Sequence, residues 1–126
     1  MTTSTKSVRG LGAAGAGTQH HIRQRVTAVA LFFLVPWFVY SIVQAYKAGY
    51  EGALNWVAQP LNAILLILTL SAALYHMRLG MQVVIEDYIA KSGTRQALLI
   101  LNTFAVIALG AATILSVLKI WFTAGA

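Results

Sequence analysis

The chain has 126 residues and a net charge of +6, and 59% of its residues are hydrophobic while only 10% are charged. Soluble domains carry about 25% charged residues, so this composition and a mean hydropathy of +0.74 indicate a membrane protein with no separate soluble domain. The absence of cysteine excludes disulfides, thiolate-bound metals and iron–sulfur ligation within this chain. Lysine and arginine cluster at the ends of apolar runs, which suits membrane orientation and argues against nucleic-acid binding.

Residues 1–25 are polar and contain no acidic residue, but they include Lys6, Arg9, Arg23 and Arg25. The apolar run that follows is too long to be the h-region of a secretory signal. An organellar transit peptide would share this basic, hydroxyl-rich composition. We interpret residues 1–25 as a flexible, uncleaved cytoplasmic tail.

The rest of the chain, residues 26–126, predicts an all-α membrane domain, a bundle of three transmembrane helices. Each apolar run is long enough to cross the ~30 Å hydrocarbon core at ~1.5 Å per residue. Pro36 is expected to kink the first helix, residues 47–56 to form a short loop, and Gly93 to stop the second helix. The predicted helices span about residues 26–47, 58–89 and 96–121.

The distribution of positive charge predicts the orientation of the bundle. The tail holds four lysine or arginine residues, residues 91–95 hold two, and the first loop holds one. The positive-inside rule therefore places the N-terminus and the 91–95 turn in the cytoplasm and the C-terminus in the periplasm. The end of the second helix, at Asp87 and Tyr88, would then face the cytoplasm. We expect a multi-pass protein of the bacterial inner membrane rather than of the mitochondrial one.

His76 is the one histidine outside the tail. Inside a bilayer, a neutral imidazole can bind haem iron through one nitrogen, and Gly80, one turn further on, would let a flat macrocycle approach the backbone. A histidine hydrogen-bonded to a neighbouring helix, beside small residues that serve packing, explains the spacing equally well. If His76 does bind haem, the second axial ligand must come from another chain, because His20 and His21 lie in the tail.

Arg78, Asp87 and Tyr88 are the other polar candidates. Arg78 lies about 200° around the helix from His76, where it could pair with a haem propionate, pair with a partner carboxylate or snorkel to the surface. The Tyr88 phenol can donate a hydrogen bond to a quinone carbonyl while Asp87 orients it and passes on protons. The ordinary alternative is an interfacial tyrosine and an acid near water. The ~17 Å of helix between His76 and Asp87 suits a haem in the bilayer and a quinone at its rim.

The segment H-M-R-L-G-M-Q-V-V-I-E-D-Y, residues 76–88, resembles the hydrophobic membrane-anchor subunits of succinate dehydrogenase, of the D type. The segment G-T-Q-H-H-I-R-Q-R-V-T-A, residues 17–28, is also similar to the entry into the first helix of that family. Chain length, helix number and inferred orientation agree across nearly the whole chain.

The resemblance implies specific roles. His76 would be one axial ligand of haem b, opposite a histidine of a companion C-type cytochrome b anchor subunit. Tyr88 and Asp87 would bind ubiquinone, and Arg25 matches a family arginine near the haem and quinone end. Electrons would come from succinate through a flavoprotein subunit and an iron–sulfur subunit, so the chain would belong to an oxidoreductase without being catalytic alone.

Three other functions remain open from the sequence. The chain could anchor a fumarate reductase, which runs the reverse reaction. It could be a small transporter subunit in which His76, Arg78 and Asp87 form a proton path without haem. It could also be a purely structural anchor.

Overall fold

The computed structural model describes residues 11–124, with side chains from residue 17 onward, and this part of the chain consists of long helices. Lys6 and Arg9 of the predicted tail lie outside the described residues. The all-helical class predicted from the sequence is confirmed. The three helices are α1 (Leu11–Ala58), α2 (Pro60–Tyr88) and α3 (Ser92–Ala124).

The helix α1 begins earlier than the sequence predicts. Residues 11–25, which were expected to be flexible, already form its first turns. They include alanine, glutamine and arginine, which have high helix propensity, but also three glycines, so propensity alone does not decide where α1 begins. Pro36 lies inside α1, and the non-helical backbone conformation within α1 is at Gly49.

Gly49 interrupts α1 with a backbone conformation, φ 76° and ψ −176°, that belongs almost only to glycine. The segment predicted as a loop, residues 47–56, is therefore helical on both sides of this one residue. The change of direction brings Trp56 to Trp37, with 5.7 Å between the ring centroids. A Cβ atom on Gly52 would lie 2.5 Å from the Cβ of Ala48, so the segment after the break also needs a glycine there.

The connection between α2 and α3 is shorter than predicted, because α3 already begins at Ser92. Gly93 lies inside α3 and does not stop α2. The guanidinium of Arg95 takes over the role of a cap: its Nε donates to the carbonyl of Ile89 at 2.9 Å and its Nη2 to that of Ala90 at 3.4 Å. A cation at this position also compensates the negative end of the α2 dipole.

The packing is that of a membrane bundle, with α2 in contact with both other helices. All three helices are long and apolar enough to cross a membrane. Large hydrophobic side chains face outward, such as Phe32 at 74% exposure and Phe104 at 65%. The buried positions combine small and polar residues, which suit helix association in lipid, with larger aliphatic ones. Within residues 17–124, the buried residues are Ser41, Ala63, Thr69, Leu79, Ile85 and Val117.

Candidate functional site

His76 lies on the face of α2 that packs against α1. Its Nδ1 is 2.9 Å from the hydroxyl oxygen of Thr27, and both side chains are partly buried. The other ring nitrogen, Nε2, makes no hydrogen bond to any residue that the structure describes. The histidine is therefore fixed at one nitrogen and free at the other.

Two further side chains of α1, Gln24 and His20, precede Thr27 by one turn and two turns on the same helix face. The amide nitrogen of Gln24 lies over Gly80, 3.7 Å from where a Cβ atom of that residue would be. The space beside Gly80 that was expected to admit a macrocycle is thus filled by Gln24 on the α1 side. The Gln24 Oε1 and the His20 Nε2 are buried atoms without a hydrogen-bond partner.

Thr27 and Gln24 were not predicted from the sequence as neighbours of His76. A signal was present, because residues 20, 24 and 27 follow the spacing of one helix face and are all polar. What the sequence could not supply was the rotation of α1 that turns this row toward α2. That rotation makes His76 the partner of Thr27.

Arg78 points to the opposite side of α2, toward α3. Its Nη2 donates to the hydroxyl of Thr103 at 3.4 Å, and the Nδ2 of Asn102 donates to the backbone carbonyl of Arg78 at 3.1 Å. A pocket of about 210 Å³ lies here, lined also by Gln82 and Leu99. The structure therefore does not bring Arg78 and His76 together.

Tyr88 and Asp87 lie at the end of α2, and Tyr88 is 81% exposed. The Tyr88 ring lines a groove of about 330 Å³ between α2 and α3 whose other walls, among them Met81 and Leu101, are mainly apolar. Among the side chains described, Asp87 has no hydrogen-bond or ion-pair partner. This end of α2 thus presents a phenol and a free carboxylate beside an apolar surface.

Glu86, the third polar residue at this end, accepts a hydrogen bond from the Nε2 of Gln82 at 3.0 Å. It does not pair with Lys91 or with Arg95, whose guanidinium instead holds the carbonyls at the end of α2. Asp87 is therefore the free acid at this end within the described range.

Arg25 is exposed on α1 and makes no hydrogen bond or ion pair to the described part of the chain. It lies about 200° around the helix from Thr27, because the two positions differ by two residues. Tyr88 is twelve residues beyond His76, or ~18 Å along α2. Among the sequence-predicted candidates, Asp87 and Tyr88 are neighbours at the end of α2, and no hydrogen bond joins any candidate to another in the described part of the chain.

The donors present fit one kind of metal site. Residues 17–124 contain no group of three or more histidine or carboxylate side chains that could hold a metal ion. His76 offers one nitrogen that is oriented by a contact at the other nitrogen and is not itself hydrogen-bonded. Such a residue can supply one axial position to a haem that is also bound from elsewhere. It cannot hold an isolated metal ion alone.

Comparison with known proteins gives a consistent family. Residues 1–121 match the family described as succinate dehydrogenase/fumarate reductase transmembrane subunit. The succinate dehydrogenase hydrophobic membrane anchor subunit of Paracoccus denitrificans is 36% identical over 109 residues, which cover 84% of each chain. The protein of the same name from Rickettsia bellii is 39% identical over 90 residues, 71% of each chain. No solved structure matches this chain significantly.

Proposed function

This chain belongs to the succinate dehydrogenase/fumarate reductase transmembrane subunit family, and we propose that it anchors a succinate:quinone oxidoreductase in the membrane and helps bind haem b and ubiquinone. It would pass electrons from an iron–sulfur subunit to the quinone. The observation that carries this proposal is the state of His76, which is held at Nδ1 and unpartnered at Nε2 on a membrane-spanning helix.

His76 is the residue we assign as an axial ligand of haem b. A bound haem b supplies one-electron transfer between the iron–sulfur subunit and the quinone. The chain's own contribution is a neutral imidazole in a fixed orientation, in surroundings from which lipid excludes water. If His76 served only helix packing, its second nitrogen would be a polar atom inside the membrane without a bonding partner.

We propose that a partner subunit supplies the second ligand. Within the described part of the chain, the other histidines are on α1, where His21 is exposed and His20 precedes Thr27 by two turns. We assign the second ligand to a histidine of a C-type cytochrome b anchor subunit. The flavoprotein and iron–sulfur subunits would complete the complex, since this chain has no cysteine for clusters. The relatives are themselves named anchor subunits.

Tyr88 and Asp87 are the residues that we assign to the quinone. The Tyr88 phenol can donate to a quinone carbonyl, and the free carboxylate of Asp87 can accept and pass on the protons that reduction requires. The apolar groove beside Tyr88 would suit the isoprenoid chain. Arg25, exposed on α1 two residues before Thr27, could meet a haem propionate or the quinone. Arg78 could do so only from the α3 side.

The orientation proposed for the bundle follows the charge distribution, with the N-terminus and the α2–α3 connection in the cytoplasm and the C-terminus in the periplasm. This places Tyr88 at the cytoplasmic rim of a bacterial inner membrane. The two bacterial relatives described above support the choice of a bacterial membrane.

A fumarate reductase anchor would use the same residues, because the direction of electron flow depends on the quinone and on the partners' potentials. A haem-free proton path is less well supported. His76 and Arg78 face different helices and have different partners, so they do not form a continuous line of exchangeable protons.

The test is the reduced-minus-oxidised optical spectrum of the complex purified from its native membrane, for the wild type and for His76→Ala. We expect a low-spin b-type signal in the wild type that is lost or strongly shifted in the variant. Met77→Ala is the matched control, since it truncates the neighbouring membrane-facing side chain, 44% exposed, and also removes the adjacent sulfur. A full haem signal in His76→Ala would remove the ligand assignment.

A further inference from the structure

We propose that Thr27 is a positioning residue for His76, and that its hydroxyl selects the tautomer in which Nε2 carries the lone pair. This inference rests on the proposed function, in which Nε2 is the nitrogen that binds haem iron. A residue of α1 would then set the orientation and tautomer of a metal ligand that lies on α2.

The direction of the hydrogen bond follows from the surroundings of the Thr27 hydroxyl. Its oxygen lies 2.9 Å from the carbonyl oxygen of Arg23 and 3.0 Å from that of Gln24. Carbonyl oxygens only accept, so the single hydroxyl proton is needed on that side. If the hydroxyl proton pointed at His76 instead, the hydroxyl oxygen would lie about 3 Å from two carbonyl oxygens with no proton between them, which is unfavourable.

The Thr27 oxygen therefore accepts from His76, whose Nδ1 must carry the ring proton. A neutral imidazole has one protonated nitrogen, so its Nε2 then holds a lone pair and no proton. The ring is thereby prepared as a ligand before any metal binds. The Thr27 hydroxyl in turn donates its hydrogen bond to the backbone carbonyls of α1. Hydrogen bonds that run in one direction along a chain polarise and strengthen one another.

This contact also makes Nε2 a better donor to a metal. An acceptor on the Nδ1 proton strengthens electron donation from Nε2 to a metal and fixes the plane of the ring, as partners of metal-bound histidines generally do. A stronger electron donor stabilises the oxidised iron relative to the reduced iron. Removal of the Thr27 hydroxyl should consequently raise the midpoint potential of the haem and weaken its binding.

Thr27 and Thr103 both contact a side chain of α2, but Thr103 accepts from the Arg78 guanidinium at 3.4 Å, whereas Thr27 lies 2.9 Å from an imidazole nitrogen. Threonine hydroxyls in membrane helices commonly bond to a carbonyl of their own helix, as Thr69 does with Leu65 at 2.7 Å. Thr27 makes the same kind of bond and additionally reaches an imidazole on another helix. Beside this contact, the amide nitrogen of Gln24 lies over Gly80, so α1 and α2 also meet there.

The experiment uses the whole complex, purified from its native membrane, with three variants. Thr27→Val replaces the hydroxyl by a methyl group of similar size, and Thr27→Ser keeps the hydroxyl. Thr69→Val is the matched control, because it removes a buried hydroxyl from α2 that has no partner on another helix. For each variant we would measure the midpoint potential by optical redox titration, the haem content per complex and the rate of haem loss to an apo-globin acceptor.

We expect Thr27→Val to shift the midpoint potential upward and to weaken haem binding about 10-fold. Thr27→Ser and Thr69→Val should have the midpoint potential and the haem retention of the wild type. Wild-type potential and retention in Thr27→Val would overturn the inference, and so would an equal shift in Thr27→Val, Thr27→Ser and Thr69→Val. Loss of the partner subunits together with the haem in Thr27→Val would make Thr27 a folding contact, which also overturns it.

The outcome is separable from that of the proposed function. If His76→Ala keeps the wild-type spectrum, both proposals fail, because no ligand is then present for Thr27 to position. If His76→Ala loses the signal while Thr27→Val keeps the wild-type potential, only the role of Thr27 fails.

Discussion

Two polar residues of α2 that are only two positions apart, His76 and Arg78, contact different neighbouring helices. The two contacts differ in whether they leave a side-chain atom free to bind another group. Toward α1, the contact between Thr27 and His76 is short, 2.9 Å, and it uses one nitrogen of a ring that has two. Toward α3, the guanidinium of Arg78 reaches the Thr103 hydroxyl at 3.4 Å, while the firmer bond runs from Asn102 to the Arg78 carbonyl at 3.1 Å.

The difference shows that a polar side chain inside a membrane helix can either prepare a ligand site or hold helices together. On the α1 face, the partner fixes the orientation of a side chain whose remaining atom can bind something else. On the α3 face, the strongest contact joins a side chain to the backbone and so holds two helices together. The first arrangement is suited to a ligand site and the second to assembly.

The largest effect should come from removing one polar side chain from each face of α2. We expect His76→Ala to abolish the haem signal and Arg78→Ala to retain it, because only the first residue offers a nitrogen to a metal. The measurement is haem content per complex, by absorbance after extraction. A loss of haem in Arg78→Ala equal to that in His76→Ala would erase the distinction between the two faces.

The next effect concerns the end of α2, beyond both contacts. Tyr88→Phe should lower quinone reductase activity about 100-fold, since a positioned proton donor contributes 10²–10⁴-fold to such reactions. Succinate oxidation by an artificial acceptor and the haem spectrum should stay unchanged. Tyr50→Phe, at the opposite end of the bundle and 75% exposed, is the control. Equal losses with both acceptors would argue against Tyr88 at the quinone site.

A smaller effect should follow from disturbing α1 far from His76. Gly49→Ala places a Cβ atom on a backbone conformation that non-glycine residues rarely adopt, which costs about 1–3 kcal/mol. We expect a lower denaturation temperature of the purified complex. Gly93→Ala is the matched control, because Gly93 has a helical backbone conformation and nothing lies within 4 Å of the added methyl group. An unchanged denaturation temperature in Gly49→Ala would mean that α1 can be continuous at this point.

The smallest effect should be seen on the α3 face. Asn102→Leu removes the bond to the Arg78 carbonyl and should cost about 1 kcal/mol, as one interhelical hydrogen bond does in a membrane. Thr103→Val should cost less, because its contact with Arg78 is long. Denaturation temperatures of the two complexes provide the comparison. A larger loss in Thr103→Val would show that the guanidinium, and not the carbonyl, holds α3.

The sequence by itself determined the class of the molecule and its candidate residues. Three apolar runs, each longer than a bilayer needs, leave helices as the only structure that satisfies the backbone in lipid. The predicted start of α2, near residue 58, lies close to its observed start at Pro60, a first helical position where proline loses no hydrogen bond. The resemblance of residues 76–88 to succinate dehydrogenase anchors agreed with the family that the comparisons show.

The tertiary structure alone decided which of these residues meet. Helices that are apolar around their whole circumference carry no stripe to fix their rotation, so the pairing of Thr27 with His76, and of Arg78 with α3, could not be derived from periodicity. The break at Gly49 was hidden for a related reason. Glycine in a membrane helix can serve close packing or a change of direction, and only the position of Trp56 against Trp37 shows which.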